Sequence, residues 1–437
     1  MRFSSQWFSA VLMTSLACHA GDVDRPQPDP ESAEASITEG VMIAPPMQRE
    51  HPLPAAPEVH EPDSWEHATG HWGGARSKLE DRGVAISADL TVDFSKNLVG
   101  GLDTEGSAFR HLFNFNITLD SEKLAGYKGG TFFVNFQAQH GQSGSDETGD
   151  FQGISNIDAD GRAQVSEIWY QQLLLGDRLR LKAGKIDANV EFAAPEYAGD
   201  FINSSFGVSP TILGIPTYPD PSFGIVIVAQ PTESVYLSAG VFDGAGQEGY
   251  TTGDDALETV FGSPSDLFLI CECGLRWKCR EDTLNGRLAL GVWHHTGTFD
   301  EFDGDTADGA TGPYLIAEQQ IWKESQSLED EQGIALSLQY GFAEASISEV
   351  EHHIGAAVTW IGAIPSRDDD ASGVGLTCVC FGEDAGFSND IELTLELFHK
   401  FQIAPFASVK PDLQYIVNPG GNLDNALAAS VRLSIDF

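Results

Sequence analysis

The chain ends in an unbroken alternation. Ala429, Val431, Leu433, Ile435 and Phe437 fall on one face of an extended segment, and Ser430, Arg432, Ser434 and Asp436 fall on the other. Successive side chains of a strand point to opposite faces, so this run makes a strand that is apolar on one side and polar on the other, up to a terminal aromatic. A free edge of this kind pairs with whatever strand it meets. A closed barrel in a bilayer resolves the difficulty. The last strand pairs with the first, lipid covers the apolar face, and water meets the polar one.

The same alternation recurs along the chain. Strands are expected over 84–98, 108–120, 130–140, 162–175, 178–187, 222–230, 233–243, 266–279, 286–295, 311–322, 332–342, 349–362, 372–381, 390–401, 405–417 and 427–437. An even number of strands suits a single-chain bacterial barrel, and several reach the ~9–11 residues that cross a bilayer at a tilt. Short connections (Gly176-Asp177, Pro231-Thr232, Gln402 to Ala404) alternate with long ones at 141–161, 188–221, 244–265 and 296–310. Short periplasmic turns and long outer loops are the rhythm of an outer-membrane barrel, and they put both chain ends in the periplasm. The expected fold class is all-β, a transmembrane antiparallel barrel of about 16 strands and of the outer-membrane porin type.

A formal net charge of -41 excludes a nucleic-acid surface, because phosphate binding needs Lys and Arg. Residues 1–20 read as a secretory signal: Arg2 supplies a positive start, Trp7 to Ala17 is mostly apolar, and Cys18-His19-Ala20 supplies the cleavage end. Ser15-Leu16-Ala17-Cys18 also hints at a lipoprotein box with its apolar residue misplaced. Residues 21–62, rich in Pro, Glu, Asp and Ala, read as an acidic flexible linker in the periplasm. Gly73 to Arg82 suits a short helix before the barrel domain, 63–437, gets under way.

Parity assigns the faces. Phe113, Phe115, Ile117 and Leu119 meet lipid, whereas Arg110, Asn114, Asn116 and Thr118 meet the lumen. Phe132, Val134 and Phe136 point out; Asn135, Gln137 and Gln139 point in. Arg178, Arg180 and Lys182 point in opposite Leu179, Leu181 and Ala183, and Asp89, Asp93, Glu392 and Glu396 are lumenal by the same rule. Basic Arg110, Arg178, Arg180 and Lys182 against acidic Glu167, Asp89 and Asp93 give a transverse field that orients polar solutes; the same groups also serve as pairs that brace the wall. A barrel of this size leaves a wet channel rather than a packed interior. The loop 188–221 is expected to fold into the mouth and narrow it, offering Phe192, Tyr197, Phe201, Phe206 and Tyr218 as aromatic platforms; the alternative is a surface flap.

Other motifs point elsewhere less strongly. Cys271, Cys273 and Cys279 share a strand face with Leu269, Leu275 and Trp277, and Cys378 and Cys380 share one with Val374 and Leu376. A thiol among apolar neighbours packs as a small hydrophobe; a disulfide or a metal remains the alternative. Asn156, Asp158, Asp160, Gly161 and Glu167 match an EF-hand spacing, but strand and loop flank them where helices belong. Asp300, Asp303, Asp305 and Asp308 form a second acidic cluster. His294-His295 and His352-His353 are neighbours in strands, so each doublet splits across two faces. No nucleophile elbow or phosphate-cradling loop is found, no cofactor is expected, and the chain is not read as an enzyme.

Several motifs have a family look. Trp72-Gly73-Gly74-Ala75-Arg76 with Leu79 and Gly83-Val84 resembles the entry motif of the carbohydrate-selective porins, the OprB family. Gly184-Lys185-Ile186-Asp187 is similar to that family's Gly-Lys segment, and Phe201-Ile202-Asn203-Ser204-Ser205-Phe206 with Tyr218-Pro219 resembles its long loop. Lys410-Pro411-Asp412-Leu413-Gln414-Tyr415-Ile416-Val417-Asn418-Pro419-Gly420-Gly421 is similar to its C-terminal fingerprint. The resemblance spans 65–437; the cysteine pairs lie outside its pattern. It implies a sixteen-stranded outer-membrane barrel that admits glucose-like mono- or oligosaccharides by diffusion, with a general diffusion pore or another small polar solute as the alternative. Asp412 and Gln414 join the lining set. Carbohydrate solutes and outer-membrane lipids are the partners expected, and monomer and homo-oligomer both stay open.

Overall fold

The computed structural model describes residues 66–262, 265–280, 283–325 and 331–437. The expected signal and all of the linker lie outside them. Sixteen strands follow in chain order: β1 Val84–Val99, β2 Ala108–Asp120, β3 Gly130–Gly141, β4 Arg162–Leu174, β5 Leu179–Ile186, β6 Ser222–Thr232, β7 Val235–Asp243, β8 Leu267–Cys279, β9 Leu284–Asp300, β10 Thr306–Lys323, β11 Gly333–Phe342, β12 Val350–Ile361, β13 Ala371–Phe381, β14 Ile391–Ala404, β15 Ala407–Val417 and β16 Ala426–Asp436. Each pairs antiparallel with its sequence neighbours, and β16 returns to β1. The terminal Phe437 donates its N–H to Ala88 O at 2.8 Å. The sheet closes on itself, so among the described residues no strand lacks a neighbour on either side, as a sheet in hydrocarbon requires.

Faces follow the alternation. Outward Phe94, Phe136, Ile225, Leu290 and Leu397 are exposed, while inward Asp93, Asn135, Val226, Ala289 and Glu396 are buried. Both histidine doublets split as parity demands. His294 bonds Thr311 on the outside and His295 bonds Gly244 O within; His352 meets Tyr340 outside and His353 lies between Ser209 and Thr377 within. No disulfide links the five described cysteines. Before the barrel, a short helix covers Ala75–Glu80, and Arg76 packs its guanidinium over the Trp72 ring.

One expected loop is largely strand. The connection placed at 296–310 shrinks to 301–305, because β9 and β10 stay paired as far as Asp300 and Thr306. There the hairpin rises beyond the apolar band, so polar residues pair without breaking any hydropathy rule. Of the acidic cluster, Asp303 and Asp305 gather at this turn, joined by Glu301, while Asp300 and Asp308 are held in the strands.

The interior departs from a simple wet channel. Loop 187–221 folds inside, and its apolar residues form dry clusters against the wall. Phe192 packs with Phe242, Phe268 and Trp293; Phe201 and Phe206 pack with Phe398. Inward glycines make the notches for these rings. A Cβ on Gly375 would stand 2.5 Å from Phe206, and one on Gly240 would stand 2.8 Å from Phe192. Both fall well inside van der Waals contact, so a side chain at either position would displace the ring.

Candidate functional site

The infolded loop begins at Asp187, whose carboxylate caps the short helix Ala188–Glu191 by accepting from Asn189 N at 2.9 Å. That turn aims Glu191 at two inward cations of β5. Lys182 Nζ lies 2.6 Å from Glu191 Oε1, Arg180 forks onto both carboxylate oxygens, and all three side chains are buried. Burial opposes ionisation of Glu191, but Lys182 and Arg180 together overcome it and hold its carboxyl at about 2. Lys182 also sits 3.8 Å above the Trp169 ring.

Beyond the stem, buried wall glutamates accept the loop's backbone N–H groups. Glu272 on β8 takes Ala193 N at 3.1 Å, together with the hydroxyls of Tyr236 and Tyr314. Glu318 on β10 takes Tyr197 N at 2.8 Å. Glu396 on β14 takes Ile202 N at 2.7 Å and Asn203 N at 3.0 Å, one on each oxygen. Arg287 bridges the first two glutamates and the loop's Glu196. Irregular backbone at membrane depth must be satisfied by protein, and ionised acceptors bind N–H about twice as strongly as neutral ones. The return limb is fastened by Gln339 Nε2, which donates to Phe206 O at 3.0 Å, and by Ser209, which meets His353.

A second inward loop, 142–161, closes the other side. Glu392 accepts Phe151 N at 2.7 Å and Gln152 N at 3.0 Å, and Gln414 donates to Ile154 O at 2.8 Å. Asn156 N bonds Ile202 O, so the two loops touch. Asp158 pairs with Arg110, and Arg432 is shared between Asp93 and Asn156.

Inward side chains on β5–β16 are buried almost throughout. On β1–β4, by contrast, Asp89, Asn114, Asn116, Gln137, Gln164 and Glu167 are only partly buried. They form a hydrogen-bonded amide track. Asn114 donates to Asp89 at 2.9 Å, Asn135 to Asn116 at 2.7 Å, Gln137 to Asn114 at 3.1 Å, and Gln164 to Pro219 O at 2.8 Å. Tyr218 borders the track and donates its hydroxyl to Ile157 O at 3.0 Å. Burial, then Asp158, pushes this phenol upward, so it stays a neutral donor.

The expected lining residues therefore divide. Asn114, Gln137, Glu167 and Tyr218 are partly accessible, with Asn135 and Arg110 buried beside them. Arg180, Lys182 and Gln414 lie beneath the loops and hold them, and Asp412 is buried beside Gln414 on the wall. Phe201 and Phe206 offer no platform: their buried rings lie tilted with centroids 4.4 Å apart and face Phe398 and the inward glycines. Arg178 precedes β5 in an exposed turn that contains left-handed Leu175 and Asp177, so strand parity does not apply to it. The EF-hand spacing assembles no site. Arg110 occupies Asp158, Arg432 occupies Asn156, and Asp160 is exposed. Parity places Glu272 and Glu318 inside, but nothing in the sequence marks them as acceptors for the loop.

A closed sixteen-strand barrel, apolar outside, with two loops folded inward and partly accessible polar side chains along one wall, is an outer-membrane porin. A family model described as "Carbohydrate-selective porin, OprB family" matches residues 104–437. The chain belongs to that family, and it is a channel through which sugars diffuse across the bacterial outer membrane. Porin B of Pseudomonas aeruginosa is 23% identical over 435 residues, covering 87% of this chain and 93% of that protein. The putative porin QuiX of Acinetobacter baylyi is 20% identical over 414 residues, covering 84% and 92%. The high-pH structure of Pseudomonas putida OprB matches with a TM-score of 0.77 at 20% identity, covering 87% of this chain and 100% of that one. The low-pH structure of the same protein gives 0.58 at 17%, covering 86% and 99%.

Proposed function

We propose that glucose-like sugars cross along the β1–β4 wall, using the amide track as a ladder of exchangeable hydrogen bonds. The observation that carries this reading is the contrast in exposure: neutral amides stay accessible there, while the lumenal charges elsewhere are paired or buried. Amides both donate and accept, so they replace hydroxyl hydration without a strong hold on any one solute. Conduction needs binding loose enough to release. Asp89 and Glu167 add carboxylate acceptors beside these amides. In planar bilayers, glucose or maltose is expected to reduce ion current, with succinate and arginine weaker. Asn114→Leu with Gln137→Leu is expected to weaken sugar block about tenfold, in line with one or two lost hydrogen bonds. Unchanged block in the double variant would sink this route.

We also propose that residues 1–20 are removed on export and that 21–62 form a periplasmic linker. The sequence pattern supports this. Intact mass of protein purified from outer membranes is expected to match a chain starting near Gly21; a mass retaining Met1 rejects it.

A further inference from the structure

β5 is the shortest strand, and its shortness leaves a notch in the wall. β3 pairs with β4 from Gln172 up to Arg162, but β5 pairs with it only from Leu174 to Ile168. Among the described residues, no strand lies beside the β4 edge from Arg162 to Glu167. The helix Thr252–Phe261, from the connection between β7 and β8, packs against both flanks of this gap, β4 and β6. Its first turn is fixed there. Thr252 Oγ1 donates to Asp220 O at 2.9 Å and Gly253 N to Asp220 Oδ1 at 3.2 Å. Lys185 Nζ bonds Gly253 O and, at 2.7 Å, Val165 O on the open edge. Lys185 pairs in register with Ile168 and Phe223 on the outward face of β5, yet it is only 4% exposed. The start of the helix therefore fills the gap, covering outward Lys185 while Gly253 stands beside inward Gln164 and Arg162.

The helix has three sectors. Thr252, Ala256 and Thr259 recur at helical spacing and are buried. Leu257, Val260 and Phe261 form the adjoining stripe and are 65%, 39% and 86% exposed. Asp254, Asp255 and Glu258 take the remaining side. On the two flanking strands the outward Val165 of β4 and Ile225 of β6 are exposed apolar residues as well. We propose that this helix serves as a stave of the barrel wall, its Leu257–Val260–Phe261 stripe against the acyl chains of the outer leaflet and its acidic side toward water. An amphipathic helix with one apolar side and one charged side is built for that boundary, and an apolar patch with polar borders marks a contact surface. The placement is independent of which solute the channel conducts.

Photo-crosslinking tests it. Benzoylphenylalanine is placed in turn at Leu257, Phe261, Ile225 and Asp254 in the full chain, reconstituted in palmitoyl-oleoyl phosphatidylcholine vesicles. Ile225 is the lipid-facing reference and Asp254 the water-facing one. Lipid adducts at 257 and 261 are expected to equal those at 225, with none at 254. Adducts only to a second chain, or only within the same chain, overturn the proposal. Hydroxyl-radical labelling of the unaltered protein in the same vesicles gives a second reading: Tyr250 is modified and Phe261 protected. Equal modification of the two overturns it.

Discussion

Glu396→Ala is expected to widen the channel. Its carboxylate holds Ile202 N and Asn203 N, both buried, at the far end of the infolded loop. Removal leaves two buried donors without their acceptor, at about 1–3 kcal/mol each. The loop has an escape that the barrel lacks, because it is held by side chains while the wall is held by continuous strand pairing. Release of the loop is thus the easier response. In planar bilayers the variant should show higher conductance and pass sugars that the parent excludes, with deletion of 196–214 as the upper limit. Glu396→Gln keeps one carbonyl oxygen where two oxygens each take one N–H, so it should fall between. Wild-type conductance and sugar cut-off in the alanine variant would show that Glu396 does not set the bore.

The wall was legible in the sequence because lipid and water impose a period of two on every crossing strand. All sixteen strands lie where that period put them, and the ends strayed only where the constraint lapses. β9 and β10 extend past the membrane into Asp- and Gly-containing sequence, where pairing continues without any apolar demand. Arg178 shows the opposite error, in which parity was extended into a turn. The interior was harder to read. Glu318 and Tyr197 are far apart in sequence, and no periodicity brings a wall carboxylate to a particular loop N–H. The aromatic loop was expected to fold inward, and it does, yet its rings turn toward the wall. A signal for that did exist: Gly373 and Gly375 stand two apart on one inward face of β13, and bare backbone at adjacent inward positions leaves room for a ring.

Glu191→Gln is expected to loosen the loop at its stem. Arg180 and Lys182 would then share a buried space with no counter-charge, a change that costs about 3–5 kcal/mol when one partner of a buried ionic group is lost. Because β5 pairs with β4 over only its own short length, the disturbance falls on the weakest stretch of wall. At neutral pH the variant should unfold in detergent at a lower temperature than the parent. The pH dependence has a definite sign. The Glu191 carboxyl falls from an ordinary 4.5 to about 2 in the folded chain, so its contribution is complete above 4.5 and is lost as pH drops toward 2. The gap in unfolding temperature between parent and Glu191→Gln should therefore hold steady from neutral pH to about 5 and close below it. A gap that stays constant down to pH 2 would show that the stem is held by packing around Trp169 and Phe192, with the buried charges contributing little.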